Sequence, residues 1–266
     1  MAKNWDALVL NDYEAVMPLT WNKKFGIYYL YQPPFTACLG LFGKTITIEL
    51  LAAFLRSIPA KFKYRDIYLN SGNLFSIPEF DLYERMNYVL NLNSSYEVLQ
   101  DAYRENIKRN IKKAEQLHLI IKKDIGVSAV IDLARAYTTG FSELNNPDIG
   151  NFETLYNLLQ QNEKAVTYGI FTTQNELLAS AVFFFSHSRA YYILAANHPN
   201  GKTLGASHAL INAFIKDHAG QNLLLDFEGS DIPSLAFFYS SFGAVEEKYS
   251  ALKFNKLPVP IRWLKK

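Results

Sequence analysis

Cysteine is almost absent: Cys38 stands alone among 266 residues, so no internal disulfide can form. A chain of this length must then rely on its own apolar core, and a reducing compartment is the expected setting. The thiol itself reads as a small buried hydrophobe rather than a nucleophile. Long apolar runs are missing too, since stretches such as Ile46–Leu55 fall short of the ~20 residues a spanning helix needs. The opening Met-Ala-Lys-Asn-Trp-Asp lacks the apolar centre of a leader peptide. A cytoplasmic protein with no membrane span is therefore expected, and on that reading the Asn93-Ser94-Ser95 sequon is a chance match. Neither sign of charge is in excess; the formal net charge of +2 is too small to point to nucleic acid by itself. There is no Gly-x-Ser-x-Gly elbow, Walker loop or dinucleotide-binding glycine fingerprint. The histidines (His118, His187, His198, His208 and His218) show no metal-ligand spacing, so no metal is expected.

What is present is a chain rich in aromatic and β-branched residues between short turns. Hydrophobic residues make up 49% and charged residues 20%, which is the balance of a packed globular protein. In the first half, Trp5–Leu10, Gly26–Tyr31, Asp66–Asn70 and Tyr88–Leu92 read as strands, with a helix over Ile48–Ser57 ended by Pro59. Ser94-Ser95-Tyr96-Glu97 fits a capping box. Apolar residues then recur at helical spacing through Tyr96, Leu99, Tyr103, Ile107, Ile111 and Ala114. Leu119–Lys123 reads as a strand, and Gly126 marks the expected domain boundary before helices over Ser128–Phe141 and Phe152–Gln161. Val166–Thr172, Leu178–Ser186 and Ala190–Ala196 follow as strands, then a helix over Thr203–Ala219 closed by Gly220. Leu223–Glu228 is a strand, Pro233–Ser240 a short helix and Lys248–Asn255 a last strand. Helices before, within and after a run of strands predict a mixed sheet with helices packed on it.

Three places carry residues suited to chemistry. In the loop Asn197–Ala206, Thr203 is placed to cap a helix and leave the N–H groups of Leu204, Gly205 and Ala206 for an anion, with Lys202 adding charge. An ordinary strand-to-helix turn is the other reading. In Leu223-Leu-Leu-Asp226-Phe-Glu228-Gly-Ser230, strand alternation puts Asp226 and Glu228 on one face, where crowding of like charge raises one carboxyl towards the range of a general base. Capping or orienting of neighbouring loops is the alternative there. Tyr239, at the end of a short helix before Phe242-Gly243, is a phenol able to protonate a departing group, or a packing residue among many tyrosines. The basic row Arg104, Lys108 and Lys112, with Arg109 beside it and Glu105 placed to relieve Arg109, suits a phosphate or a tRNA backbone, or is a solvated face.

These residues together resemble known proteins. The order from Tyr191–Ala196 through the glycine loop and helix to Asp226-Phe-Glu228-Gly-Ser230 and Tyr239-x-x-Phe242-Gly243 resembles a GNAT-fold acyltransferase. Trp5-Asp-Ala-Leu-Val, Met17-Pro18-Leu19, Gly26–Phe35 and Tyr103–Glu115 resemble FemAB-like proteins. The resemblance implies an α/β (α+β) fold of tandem GNAT-like domains, with mixed, mostly antiparallel sheets flanked by helices. Residues 1–125 would form a degenerate N-terminal copy and residues 126–266 the acyltransferase domain, with a cleft between them. Members of the family add amino acids to peptidoglycan precursors from aminoacyl-tRNA or transfer other acyl groups to amines. By that analogy Leu194, Ala195 and Ala196 lie along the donor's arm, with Tyr192 and Ser230 at the substrate. Lys202, Leu204, Gly205 and Ala206 face its phosphates, Asp226 or Glu228 removes the amine proton and Tyr239 is the general acid. Lys24, Tyr31 and Gln32 would line the acceptor side. The activity so implied is N-acyl transfer from acyl-CoA, a donor substrate rather than a covalently bound cofactor, to a small-molecule amine. Aminoacyl-tRNA-dependent transfer to a peptidoglycan precursor and non-catalytic binding of an anionic ligand are the alternatives.

Overall fold

The computed structural model describes residues 2–138, 141 and 144–262. Its elements in chain order are β1 (Asn4–Leu10), β2 (Ala15–Lys24), β3 (Ile27–Tyr31), β4 (Phe42–Gly43), α1 (Ile48–Ser57), β5 (Phe62–Tyr68) and β6 (Asp81–Asn91). Then come α2 (Tyr96–Asp101), α3 (Glu105–Gln116), β7 (Ile120–Lys123), α4 (Val127–Tyr137), α5 (Asn146–Gln161), β8 (Ala165–Phe171), β9 (Leu177–Ser186) and β10 (Arg189–Asn197). The chain ends with α6 (Pro199–Leu204), α7 (Ala206–His218), β11 (Leu224–Asp226), α8 (Pro233–Ser240), β12 (Val245–Asn255) and α9 (Val259–Arg262). The chain divides into two compact units, one of the residues up to Met86 together with those from Glu247, the other of Asn87–Glu246. The boundary expected near Gly126 therefore lies inside the second unit. The reason is that β7, which precedes Gly126, pairs with β8, from Ile120↔Phe171 to Lys123↔Tyr168, and α3 packs on α7. The chain also returns: β12 pairs with β5, from Ala251↔Tyr68 to Asn255↔Tyr64, and so restores the C-terminal strand to the first unit. Among the described residues, no helix is long and apolar enough to cross a membrane.

The first unit orders its strands β1–β2–β3–β5–β12. Strand β2 is not among the expected strands, and it contains Pro18. Pro18 is tolerated because it pairs across to Ala7 of β1, while β4 reaches only Val16 and β3 begins pairing only at Trp21. The β2–β3 turn is the two-residue Phe25-Gly26, with φ of 50° and 78°, the left-handed pair that matches strand twist. Helix α1 starts where the Thr47 hydroxyl accepts from the Leu50 N–H, and it turns Leu51 and Leu55 onto Met17, Leu30, Phe62 and Ile67.

The second unit orders its strands β6–β11–β10–β9–β8–β7, antiparallel except for the parallel pair β10–β11. Helix α7 buries Leu210, Ile211, Phe214 and Ile215, and the Phe214 ring stacks on Phe183 at 3.8 Å. Each unit is thus mixed α/β with mainly antiparallel strand pairing and flanking helices, as expected. The long helical run expected from periodicity through Tyr96–Ala114 is broken. The run from Tyr96 stops at Asp101 because Tyr103 is buried edge-on to Phe242, 5.3 Å between centroids, and the Arg104 N–H donates to the Ser241 carbonyl. The N-cap of α2 is Ser95 rather than Ser94, with no side-chain bond to the helix backbone, so the capping box does not form. Residues 139 and 140 of the helix expected over Ser128–Phe141 lie outside the described residues.

Candidate active site

Strand β11 has three residues, and they meet β10 only at Arg189–Tyr191. Beyond Tyr191, β10 runs on to Asn197 paired with β9 alone, with a register shift between Tyr192 and Leu194. The two parallel strands thus part company at the end of β11. Ala195 lies on this stretch, and its carbonyl accepts from the Thr138 hydroxyl at 3.5 Å. The N–H and C=O of one residue in an extended strand point to the same side. The Ala195 N–H therefore faces the edge that lacks a strand partner among the described residues. Leu194 and Ala196 are buried beside it.

A buried polar group closes the end of β11. Asp226 is 3% exposed. Its Oδ2 accepts from Arg189 Nη1 at 2.6 Å, and its Oδ1 accepts from Asn87 Nδ2 at 2.9 Å and from the Glu228 N–H at 2.8 Å. Asn87 Oδ1 in turn accepts from the Gly229 N–H at 2.5 Å and the Tyr88 N–H at 2.7 Å. These bonds fold the chain back sharply, with φ of 63° at Glu228 and 89° at Gly229. Strand alternation therefore ends at Asp226 and does not govern Glu228, contrary to the sequence expectation. The two carboxyls are nonetheless close enough to interact. Burial pushes Asp226 upward, opposed by Arg189, the Glu228 amide and Asn87.

Glu228 is the exceptional group. Its Oε1 is buried and has no hydrogen-bond partner among the described residues. Burial, then the neighbouring Asp226 charge, push its carboxyl up to about 8, with Arg189 pulling the other way. Tyr239 stacks on Phe227 at 4.4 Å and is 8% exposed, so much of its ring is packing surface. Burial and the Glu228 charge push its phenol up to about 12. Tyr192 is buried against Phe183 and Phe227, and burial followed by the Tyr239 charge raises its phenol. Asp226, Glu228, Tyr239 and Tyr192 are thus brought together. Arg189 and Asn87 complete the group and were not foreseen; an arginine opening an otherwise apolar strand was the one available signal. Ser230 closes a turn with Ile232, its hydroxyl donating to the Ile232 carbonyl at 3.1 Å.

The expected phosphate loop is not an open loop. Pro199 starts α6 early, and His198 rather than Thr203 caps it, accepting from the Asn200 N–H at 3.2 Å. The Gly205 N–H donates to the Gly201 carbonyl, and Gly205 stands at φ 78° between α6 and α7. A Cβ there would lie 2.5 Å from the Asn110 carbonyl oxygen, so the close approach of α3 requires a glycine at this position. Lys113 Nζ donates to the Thr203 carbonyl at 2.8 Å from the same helix. Lys202 is exposed, Leu204 half-buried and Ala206 buried. Gly205→Ala is expected to cost about 2–4 kcal/mol from left-handed backbone strain plus overpacking. Urea unfolding of the variant checks it.

Of the basic row, Arg104 lies with its guanidinium 4.9 Å over the Phe237 ring, and Lys108 bonds the Asp101 carbonyl and pairs with Glu105. Glu105 thus relieves Lys108, not Arg109 as expected. Arg109 and Lys112 are exposed and make no ion pair among the described residues. In the first unit, Lys24, Tyr31 and Gln32 share the wall of one cavity, although both ends of the Gln32 amide are committed to backbone, at the Thr36 carbonyl and the Tyr68 N–H. Cys38 is half-buried. No group of three or more His, Cys, Asp or Glu among the described residues is arranged to hold a metal ion.

No protein-family model matches the chain, and no curated protein matches it in sequence. Its fold does match solved structures. FemX superposes with a TM-score of 0.64 at 14% identity, over 98% of this chain and 90% of that one. A conserved protein of unknown function from Bacteroides thetaiotaomicron gives 0.58 at 14% identity, over 94% and 86%. L-PGS from Bacillus licheniformis gives 0.54 at 11% identity, over 98% and 87%. At identities this low the likeness is one of fold, and it agrees with the FemAB-like resemblance seen in the sequence.

Proposed function

We propose that the protein is a transferase that moves an acyl or aminoacyl group from an activated carrier to an amine. The observation that carries this reading is Glu228: a buried carboxyl oxygen with no hydrogen-bond partner among the described residues, beside Tyr239, where β11 stops and β10 runs on paired only with β9. A carboxyl pushed up to about 8 is poised to take a proton from an amine near neutral pH. In the proposed step the amine nitrogen bonds to the donor carbonyl while Glu228 takes its proton. The Ala195 N–H stabilises the charge that develops on the carbonyl oxygen. The bond from that carbon to the carrier oxygen or sulfur then breaks, and Tyr239 protonates the departing atom. Glu228 returns its proton to Tyr239, which restores both groups.

The packing at Gly205 supports an aminoacyl ester over a coenzyme A thioester. The Asn110 backbone of α3 packs against Gly205, the residue before α7, which narrows the room there for a carrier's pyrophosphate. Arg109 and Lys112 remain exposed for a polyanion such as tRNA. The resemblance to FemAB-like proteins suggests an amine of a peptidoglycan precursor as acceptor. Filter binding of aminoacyl-tRNA across a salt series tests the donor. Binding should weaken steeply with salt, and the Arg109→Glu/Lys112→Glu variant should flatten the log–log slope by roughly 2. Thermal stabilisation by a coenzyme A thioester, with no tRNA retained, would reverse the choice of donor.

A further inference from the structure

The cavity shared by Lys24, Tyr31 and Gln32 lies wholly within the first unit, and none of its residues takes part in the proposed proton transfers. Strands β3 and β5 pair in parallel, with Tyr29 opposite Tyr64 and Tyr31 opposite Asp66. Leu30 and Ile67, which alternate with these residues, are buried in the core with α1. The tyrosines therefore stand on the other face. There they line a cavity of about 570 Å³, together with Tyr68 and Phe25 of the β2–β3 turn. The Tyr29 and Tyr31 rings are 5.9 Å apart and inclined at 58°, so they form two walls of a cage rather than one flat platform.

Among the described residues, Asp66 is the only carboxylate in this lining. It accepts from the Tyr64 hydroxyl at 2.9 Å. Lys253 lies opposite it on β12 yet makes no ion pair with it among the described residues. The ring faces of this unit already hold cations: the Arg85 guanidinium lies 4.6 Å over Tyr68, and Lys23 lies 4.8 Å over Tyr28. Lys24, the other charged residue of the lining, lies out by the Phe25 ring, 5.7 Å from its centroid. The remaining polar lining suits few hydroxyl groups, since both ends of the Gln32 amide are spent on backbone.

From this geometry we propose that the tyrosine cage around Asp66 binds an organic cation of the alkylammonium class. The ammonium would face Asp66, with its alkyl groups against the inclined rings of Tyr29, Tyr31 and Tyr64. The burial and the Asp66 contact that push the Tyr64 phenol up to about 12 keep it a neutral hydrogen-bond donor to Asp66 across the physiological range. This cage rests on the first unit alone and does not depend on the transfer reading.

Calorimetric titration of the full-length protein with choline, with its uncharged isostere 3,3-dimethylbutan-1-ol and with N-acetylglucosamine tests the proposal. Choline should bind at least roughly tenfold more tightly than the neutral alcohol. Asp66→Asn and Tyr29→Leu should each weaken choline by a similar factor, while Tyr29→Phe, which keeps the ring, should retain it. Thermal melts of each variant separate lost binding from lost folding. Equal binding of the neutral alcohol, binding of the sugar without choline, or no heat from choline at all would overturn the cage.

Discussion

Glu228→Gln should make the protein more stable at pH 9 and nearly inactive at any pH. The folded state raises this carboxyl from 4.5 to about 8, chiefly by burial and then by Asp226. A raised carboxyl binds its proton more tightly when folded than when unfolded. Its contribution to stability is therefore complete below pH 4.5 and is lost as pH rises through about 8. Within that window, stability falls by about 1.4 kcal/mol for each pH unit. The wild-type protein should accordingly lose a few kcal/mol between its ends. Glutamine keeps the shape and carries no charge, so it escapes the loss. At pH 9 the variant should melt roughly 5–10 °C higher, and at pH 5 the two should nearly coincide. Transfer should fall about 10²–10⁴-fold, the usual worth of a positioned base. In the wild-type protein kcat/KM should climb with pH to a plateau above about 8 as the carboxylate forms. Parallel melting curves for the two proteins from pH 5 to 9 would contradict the burial of a titrating carboxyl at this position.

How much of this was legible in the chain depended on whether the cause was local. Strands β8, β9 and β10 were readable because each is an apolar run between turn residues, and each appears within a residue or two of its expected ends. Helix α1 matched its expected span of Ile48–Ser57, since Thr47 and Pro59 punctuate it in sequence. The breaks in the other helices were not readable. The chain at Tyr103 leaves its helix for the sake of Phe242 and Ser241, and neither partner is near it in sequence. At Gly205 spacing could not say which backbone would approach the glycine; that approach comes from Asn110.

The candidate site shows the same division. Asp226 and Glu228 stood out because two carboxylates after a leucine run are costly unless partnered or used. Their partners were invisible for the opposite reason. Arg189 lies 37 residues away from Asp226 and Asn87 lies 139 away, and only the sheet order brings β6, β11 and β10 side by side. Alternation placed the two acids correctly as neighbours but for the wrong cause. The left-handed turn at Glu228, rather than a shared strand face, brings it back on the Asp226 carboxylate.

Removing Arg189 should do the reverse of neutralising Glu228. The Arg189–Asp226 pair is mostly buried, the two side chains being 22% and 5% exposed. Truncating one partner of such a pair leaves the other charge without compensation, which costs about 3–5 kcal/mol. Arg189→Ala is expected in that range by urea unfolding at pH 7. Arg189 also pulls both Asp226 and Glu228 downward, so its loss should push both carboxyls further up. Raised carboxyls cost nothing once protonated, and the penalty should therefore shrink as pH falls towards 4. Residual transfer should show its alkaline plateau at a higher pH than the wild-type protein, a displacement that unfolding alone does not produce. The Arg189→Met/Asp226→Asn double variant removes both charges and should recover much of the lost stability. Recovery of stability without recovery of the wild-type pH profile would separate what the ion pair does for the fold from what it does for Glu228.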